Sequence, residues 1–217
     1  MALVRRVVET ENTSSVEYEN LEAGEHEGRL VYVADLGLQH REYMGEVKPP
    51  AQQISLGIEI VGKSITVDGQ EQPRLLWTQP FNIFSTMNER GKELPYYKAF
   101  DPSAEEGQIA DWDSVLGMPC NVYIKHINGK GEYANRKFDN IESLSPIPSK
   151  YQKDVEANRI EPAIGDAEDP NNPATQALYG LALYVYNKRL GNDYQYNPDS
   201  NVEIKEAKAD FEDDIPF

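Results

Sequence analysis

The chain has 217 residues, 39% of them hydrophobic, a mean hydropathy of −0.64 and a formal net charge of −16. That length holds one main domain with a sizeable core plus polar extensions. The single cysteine, Cys120, excludes a disulfide framework and a cysteine-based metal site, and no stretch approaches the roughly 20 apolar residues of a membrane-spanning helix. MALVRRVVETENTSS at the start has too short an apolar run for a secretory signal, so a cytoplasmic protein is expected.

The charge is unevenly spread: residues 1–27 carry −5, residues 28–149 carry −4 and residues 150–217 carry −7. An acidic total argues against polyanion binding, but the nearly balanced middle has room for a basic surface. Residues 9–27 are acidic and offer little to bury, which predicts an exposed arm over 1–27.

Strands are predicted at 28–38 and at 52–62, where Ile54, Leu56, Ile58 and Ile60 alternate onto one face, with SITVDG following a turn. Between them QHREYMGEVKPP is expected to be a loop carrying Arg41, Tyr43 and Lys48. RLLWTQPFNIF at 74–84 reads as another strand, stopped or placed at an edge by Pro80. A long mixed-charge excursion follows, then ADWDSVLG at 110–117, expected as a short helix. NVYIKHI and YANRKFDNI, joined by NGKGE, form the clearest hairpin. SPIPSK sets a domain boundary near 149. Residues 150–192 are then a linker and one helix over 173–191, from Pro173 to Gly191, packed on its own domain or on a dimer partner. Residues 193–217 form a flexible acidic tail.

Five or six short strands with a helix before the last hairpin favour a five-stranded oligonucleotide/oligosaccharide-binding (OB) Greek-key barrel, with a sandwich as the alternative. The domain is expected over 28–149.

The three histidines are scattered, no phosphate-binding or nucleophile motif occurs, and Asp111–Asp113 is the nearest approach to a carboxylate cluster. No catalysis, metal or cofactor is expected, although a nuclease built from scattered acids stays open. The hairpin says more. From Tyr123 to Phe138 it holds Lys125, Lys130, Arg136 and Lys137 against Glu132 alone, a local +3. Alternation puts Tyr123 with Lys125 on one face, and Tyr133 with Asn135 and Lys137 on one face of the return strand. Should those faces coincide, rings for stacking bases and cations for phosphates lie side by side, as single-stranded nucleic acid requires. The plainer alternative is cross-strand tyrosine pairs and ordinary surface lysines. Trp77 with Phe81 and Phe84 is a second aromatic candidate.

The last eight residues, DFEDDIPF, resemble the C-terminal tip of bacterial single-stranded DNA-binding proteins, an acidic run followed by Ile-Pro-Phe. The resemblance covers Asp210, Phe211, Glu212, Asp213, Asp214, Ile215, Pro216 and Phe217. It implies a peptide that docks on replication and repair proteins, with Phe217 entering a pocket and the acids meeting a basic rim. The body departs from that family in its acidic arm, its 85–109 excursion and its 173–191 helix. LGMPCNVYIKHINGKGEYANRKFDNIESLSPIP is similar in layout to the closing segment of phage single-stranded DNA-binding barrels, which implies a phage-encoded replication protein.

The expected function is therefore sequence-independent binding of single-stranded DNA in replication, recombination or repair, by a monomer or homodimer. Arg41, Lys125, Lys130, Arg136 and Lys137 track the backbone, while Tyr43, Tyr123, Tyr133 and Trp77 stack on bases. The tip recruits partners and competes with DNA for the groove, most strongly against weak ligands such as duplex. The alternative is an acidic DNA mimic that sequesters host partners and binds no nucleic acid.

Overall fold

The computed structural model describes residues 16–17, 19–129, 131, 134–191 and 193–196. Its strands are β1 (Val16–Glu17), β2 (Gly24–Tyr43), β3 (Glu46–Val67), β4 (Gln70–Trp77), β5 (Phe81–Asn82), β6 (Pro119–Asn128), β7 (Lys137–Pro146) and β8 (Ala163–Ile164). Among the described residues four short helices accompany them: α1 (Glu93–Tyr97), α2 (Ser149–Gln152), α3 (Pro173–Gln176) and α4 (Gly180–Asn187). The chain is mainly β. No helix among the described residues is long and apolar enough to cross a membrane.

The run RLVYVADL in β2 is apolar on both faces because both are covered. Leu30 and Val33 join Ile54, Leu56, Ile58, Ile60, Val122 and Ile124 in the main core, so the alternation read in 52–62 picks out the core-facing side chains, although Ser55 and Glu59 on the other face are buried too. Val31, Tyr32, Ala34 and Leu36 face the other way, onto Ala174, Leu178, Ala182 and Tyr186 of the C-terminal segment. Each large apolar side chain fully buried in these layers contributes about 1.5–3 kcal/mol.

Strands β2 and β3 are far longer than their sequence suggests. QHREYMGEVKPP is the outer part of their hairpin, with Arg41 opposite Lys48 and Tyr43 opposite Glu46. The reversal uses Met44 (φ 53°) and Gly45 (φ 81°), the left-handed pair of a two-residue hairpin turn. With Met in place of the usual Asn or Asp, the turn lacks its sequence signature.

The sheet runs β1-β3-β2-β6-β7, with β4 and β5 also on β3 and β8 parallel to β2. The expectation of a mainly β fold holds, but the sheet is not closed into a barrel: it is antiparallel apart from β8, and β4 and β7 are not joined by a strand ladder. Pro73 has no N–H to give, and Pro80 follows soon after the end of β4. Side chains fill the seam instead. Arg74 Nη2 donates to Asp139 Oδ2 at 2.7 Å, both side chains being buried, and Gln79 Nε2 donates to Asn140 Oδ1 at 3.3 Å.

Two helix expectations also change. Residues 112–117 are turns, because Gly117 N–H donates to the Leu30 carbonyl and Leu30 N–H to the Met118 carbonyl, drawing the segment along β2. The single helix over 173–191 is two. Asn172 caps α3 by accepting from Ala174 N–H, with Pro173 at the first helical position. The path then breaks at extended Tyr179 and at Gly180, whose φ is +56°. The break has partners in β4: Trp77 Nε1–H donates to the Ala177 carbonyl at 3.1 Å and Tyr179 O–H to the Leu75 carbonyl at 2.6 Å. Beyond α4 the chain follows the β2–β3 hairpin, through Leu190 N–H to the Leu38 carbonyl and Tyr196 O–H to the Val47 carbonyl.

Candidate functional site

On β6, Val122 and Ile124 point into the core and Tyr123 and Lys125 point out, Tyr123 being 47% exposed. Opposite the 123/124 step β7 bulges, pairing Tyr123 with Ser143 but Ile124 with Ile141. The extra residue is Glu142, whose Oε1 accepts from Lys125 Nζ at 2.5 Å. Downstream Lys125 pairs with Asn140, Ile127 with Phe138 and Asn128 with Lys137. Cross-strand partners share a face, so Lys137 lies with Asn128, opposite the face of Lys125 and Ile127. The register thus answers the condition left open by alternation: the Lys125 and Lys137 faces do not coincide. Arg136 is exposed beside the turn, its carbonyl accepting from Gly129 N–H at 2.9 Å. Lys130 and Tyr133 lie outside the described residues, as does the whole tip from Asp210 to Phe217.

The remaining predicted residues are elsewhere. Arg41 sits on the β2–β3 hairpin with its guanidinium 5.3 Å from the centroid of the half-exposed Phe84 ring. Tyr43 and Met44 at the hairpin tip are 62% and 85% exposed. Nearby, Lys48 Nζ donates to Glu46 Oε2 at 2.5 Å, a contact that lowers the carboxyl pKa and raises that of the ammonium. Tyr123 pairs with Glu25 near the start of β2, whereas Arg41 and Tyr43 are near its end. That separation is roughly 50 Å along the strand contour.

Trp77 is not an open platform. Its ring stacks on Tyr32 at 6.0 Å and 15° and lies under the C-terminal segment, fixed by the bond to Ala177. A segment 100 residues downstream covers it, and nothing in the local sequence signals that cover.

What the sequence reading missed is the seam between β4 and β7. Two hollows open along it, of about 590 Å³ and 270 Å³, and they share Gln79, Ile127 and Asn140 as lining residues. They form one trough across β7. The larger is bordered by Lys125 on β6, by Lys92 at the start of α1 and by Tyr96 within it; the smaller by Phe138 and by Tyr179 at the start of α4. Lys125 was legible from hairpin alternation. Gln79 and Asn140 carried no signal, because their meeting depends on where two separate strands end up.

Among the described residues no three His, Cys, Asp or Glu converge to hold a metal ion. Cys120 is wholly buried in the core, and burial pushes its thiol pKa up, away from the reactive thiolate. Asp111 is spent on its own turn, accepting from Ser114 through both Oδ1 and the carbonyl. No protein-family model and no curated protein sequence matches the chain.

Proposed function

We propose that this protein binds single-stranded DNA without regard to sequence, and acts in replication, recombination or repair by also recruiting protein partners through residues 210–217. The observation that carries the reading is the trough at the seam. It combines two lysines, the rings of Phe138 and Tyr179, apolar walls and a pair of amides on an antiparallel sheet, and exposed Tyr123 shares the outward face of β6 with Lys125. Aromatic rings suit unpaired bases, cations suit phosphates, and amides carry both donors and acceptors for base edges.

The connectivity supports the same reading. A β2–β3–β4 meander, an excursion bearing α1 and a β6–β7 hairpin returning to the far side of β2 is the order of an OB fold, which is often only partly closed. OB folds bind on the face of their second and third strands and on the first and last hairpin loops. Here α3 and α4 cover part of that face, around Trp77 and Leu75. The reading therefore assigns the strand to the seam and to the two hairpins, where Arg41, Tyr43, Lys130, Tyr133, Arg136 and Lys137 are carried.

The proposed protein is a monomer or homodimer, with the tip competing with DNA for the groove, most strongly against weak ligands such as duplex. The Lys125–Glu142 pair favours a second reading, an acidic DNA mimic that captures host partners, because the outward lysine of β6 is already matched by an acid. Charge reversal separates the two. In a gel-shift titration, Lys125→Glu combined with Lys130→Glu, Arg136→Glu and Lys137→Glu abolishes binding of a single-stranded oligonucleotide under the first reading. Wild-type protein that retards no oligonucleotide, while a peptide of residues 210–217 still captures replication partners, supports the second.

A further inference from the structure

We infer that the smaller hollow of the seam is a slot for one base turned out of the bound strand; the inference rests on the single-strand reading. At about 270 Å³ it falls just below the 300–1,000 Å³ of pockets that hold drug-sized ligands, and suits one ring system. Phe138, its cross-strand partner Ile127 and Tyr179 are among its lining residues. Tyr179 is held from its far end, because its O–H donates to the Leu75 carbonyl at 2.6 Å. A ring fixed that way loses little freedom when a base slides against it.

The rim is polar where a base needs it. Gln79 and Asn140 border the slot, and the bond between them, at 3.3 Å, is long for an amide pair. Replacing it with bonds to a base edge costs little. Amides carry donors and acceptors together, so the rim accepts each of the four bases, in keeping with binding that ignores sequence.

Charge complementarity selects a nucleotide over a bare apolar ligand. The adjoining hollow, continuous with the slot through Gln79, Ile127 and Asn140, is bordered by Lys92 and Lys125. A strand with its base in the slot runs its phosphates past those cations. Lys125 is exchangeable, since its partner Glu142 is itself about half exposed.

The test is photocrosslinking on the full-length chain. An oligo-dT in which 5-iododeoxyuridine replaces thymidine is bound at low salt, irradiated and mapped by mass spectrometry. The inference expects a crosslink at Tyr179 or Phe138. In a parallel titration Phe138→Leu is expected to lower affinity for oligo-dT about tenfold while the slope of affinity against salt stays unchanged, as for loss of a stacked base and not of a phosphate contact. A complex that crosslinks only at Tyr43 or Tyr123, or at no aromatic residue, overturns the slot and leaves the single-strand reading standing. No complex at all overturns both.

Discussion

Glu142 and Glu93 are two acids whose surroundings give them different consequences. Glu142 is solvent-accessible and paired with Lys125, and such a pair is worth at most about 1 kcal/mol. Under the proposed reading, phosphates competing for Lys125 would have to overcome that much. Glu142→Gln is therefore expected to raise affinity for oligo-dT by up to about fivefold, measured by fluorescence anisotropy; a fall in affinity would remove Lys125 from the strand's path. Glu93 is buried at the start of α1, where its Oε1 accepts from Trp112 Nε1–H at 3.4 Å. Burial raises its carboxyl pKa, outweighing the hydrogen bonds from Trp112 and the Phe84 backbone. The folded state then holds that proton more tightly than the unfolded chain. The group's contribution to stability is complete below the ordinary Glu value of about 4.3 and is lost as pH rises through the raised folded value. Glu93→Gln keeps an acceptor for Trp112 and removes the ionisation. Its melting temperature is expected to exceed that of the wild type at pH 7, with the difference closing towards pH 4.

At the scale of elements, the seam is where structure and candidate site depend on the same side chains. Arg74 and Asp139 replace a ladder between β4 and β7, and Asp139 Oδ2 also accepts from Leu21 N–H at 3.1 Å. Asp139→Ala leaves the buried guanidinium without this carboxylate, a change that costs about 3–5 kcal/mol. Urea unfolding measures it, and a loss under about 1 kcal/mol would mean that the ion pair does not hold the seam. The β6–β7 hairpin and the core-facing Ile54, Leu56, Ile58 and Ile60 were legible because local alternation and turn residues decide them, although the return strand runs from Lys137 to Pro146 and not over 133–141. The outer β2–β3 hairpin was not, because its residues are polar and its turn uses Met44. The break at Tyr179–Gly180 was hidden for another reason: an apolar stretch opened by proline reads as one helix until Trp77 claims the Ala177 carbonyl. Tyr123 and Lys125 could be found from sequence, whereas Gln79, Asn140 and Tyr179 meet only through long-range folding.

For the whole molecule, the distribution of charge matters more than its sum of −16. Residues 28–149 hold only −4 of it, so a strand bound at the seam, as proposed, would meet a nearly balanced domain with local cations. The acidic end segments oppose polyanions at longer range, an effect that weakens beyond about 10 Å at 0.1 M salt. The last described residue, Tyr196, donates its O–H to the Val47 carbonyl on the β2–β3 hairpin. The most direct test is a salt titration of labelled oligo-dT binding, followed by fluorescence anisotropy on the full chain and on protein lacking residues 210–217. Single-strand binding on both proteins, falling steeply as salt rises and tighter after deletion, with duplex gaining most, is the predicted result. Absence of single-strand binding by the shortened protein at low salt would contradict it.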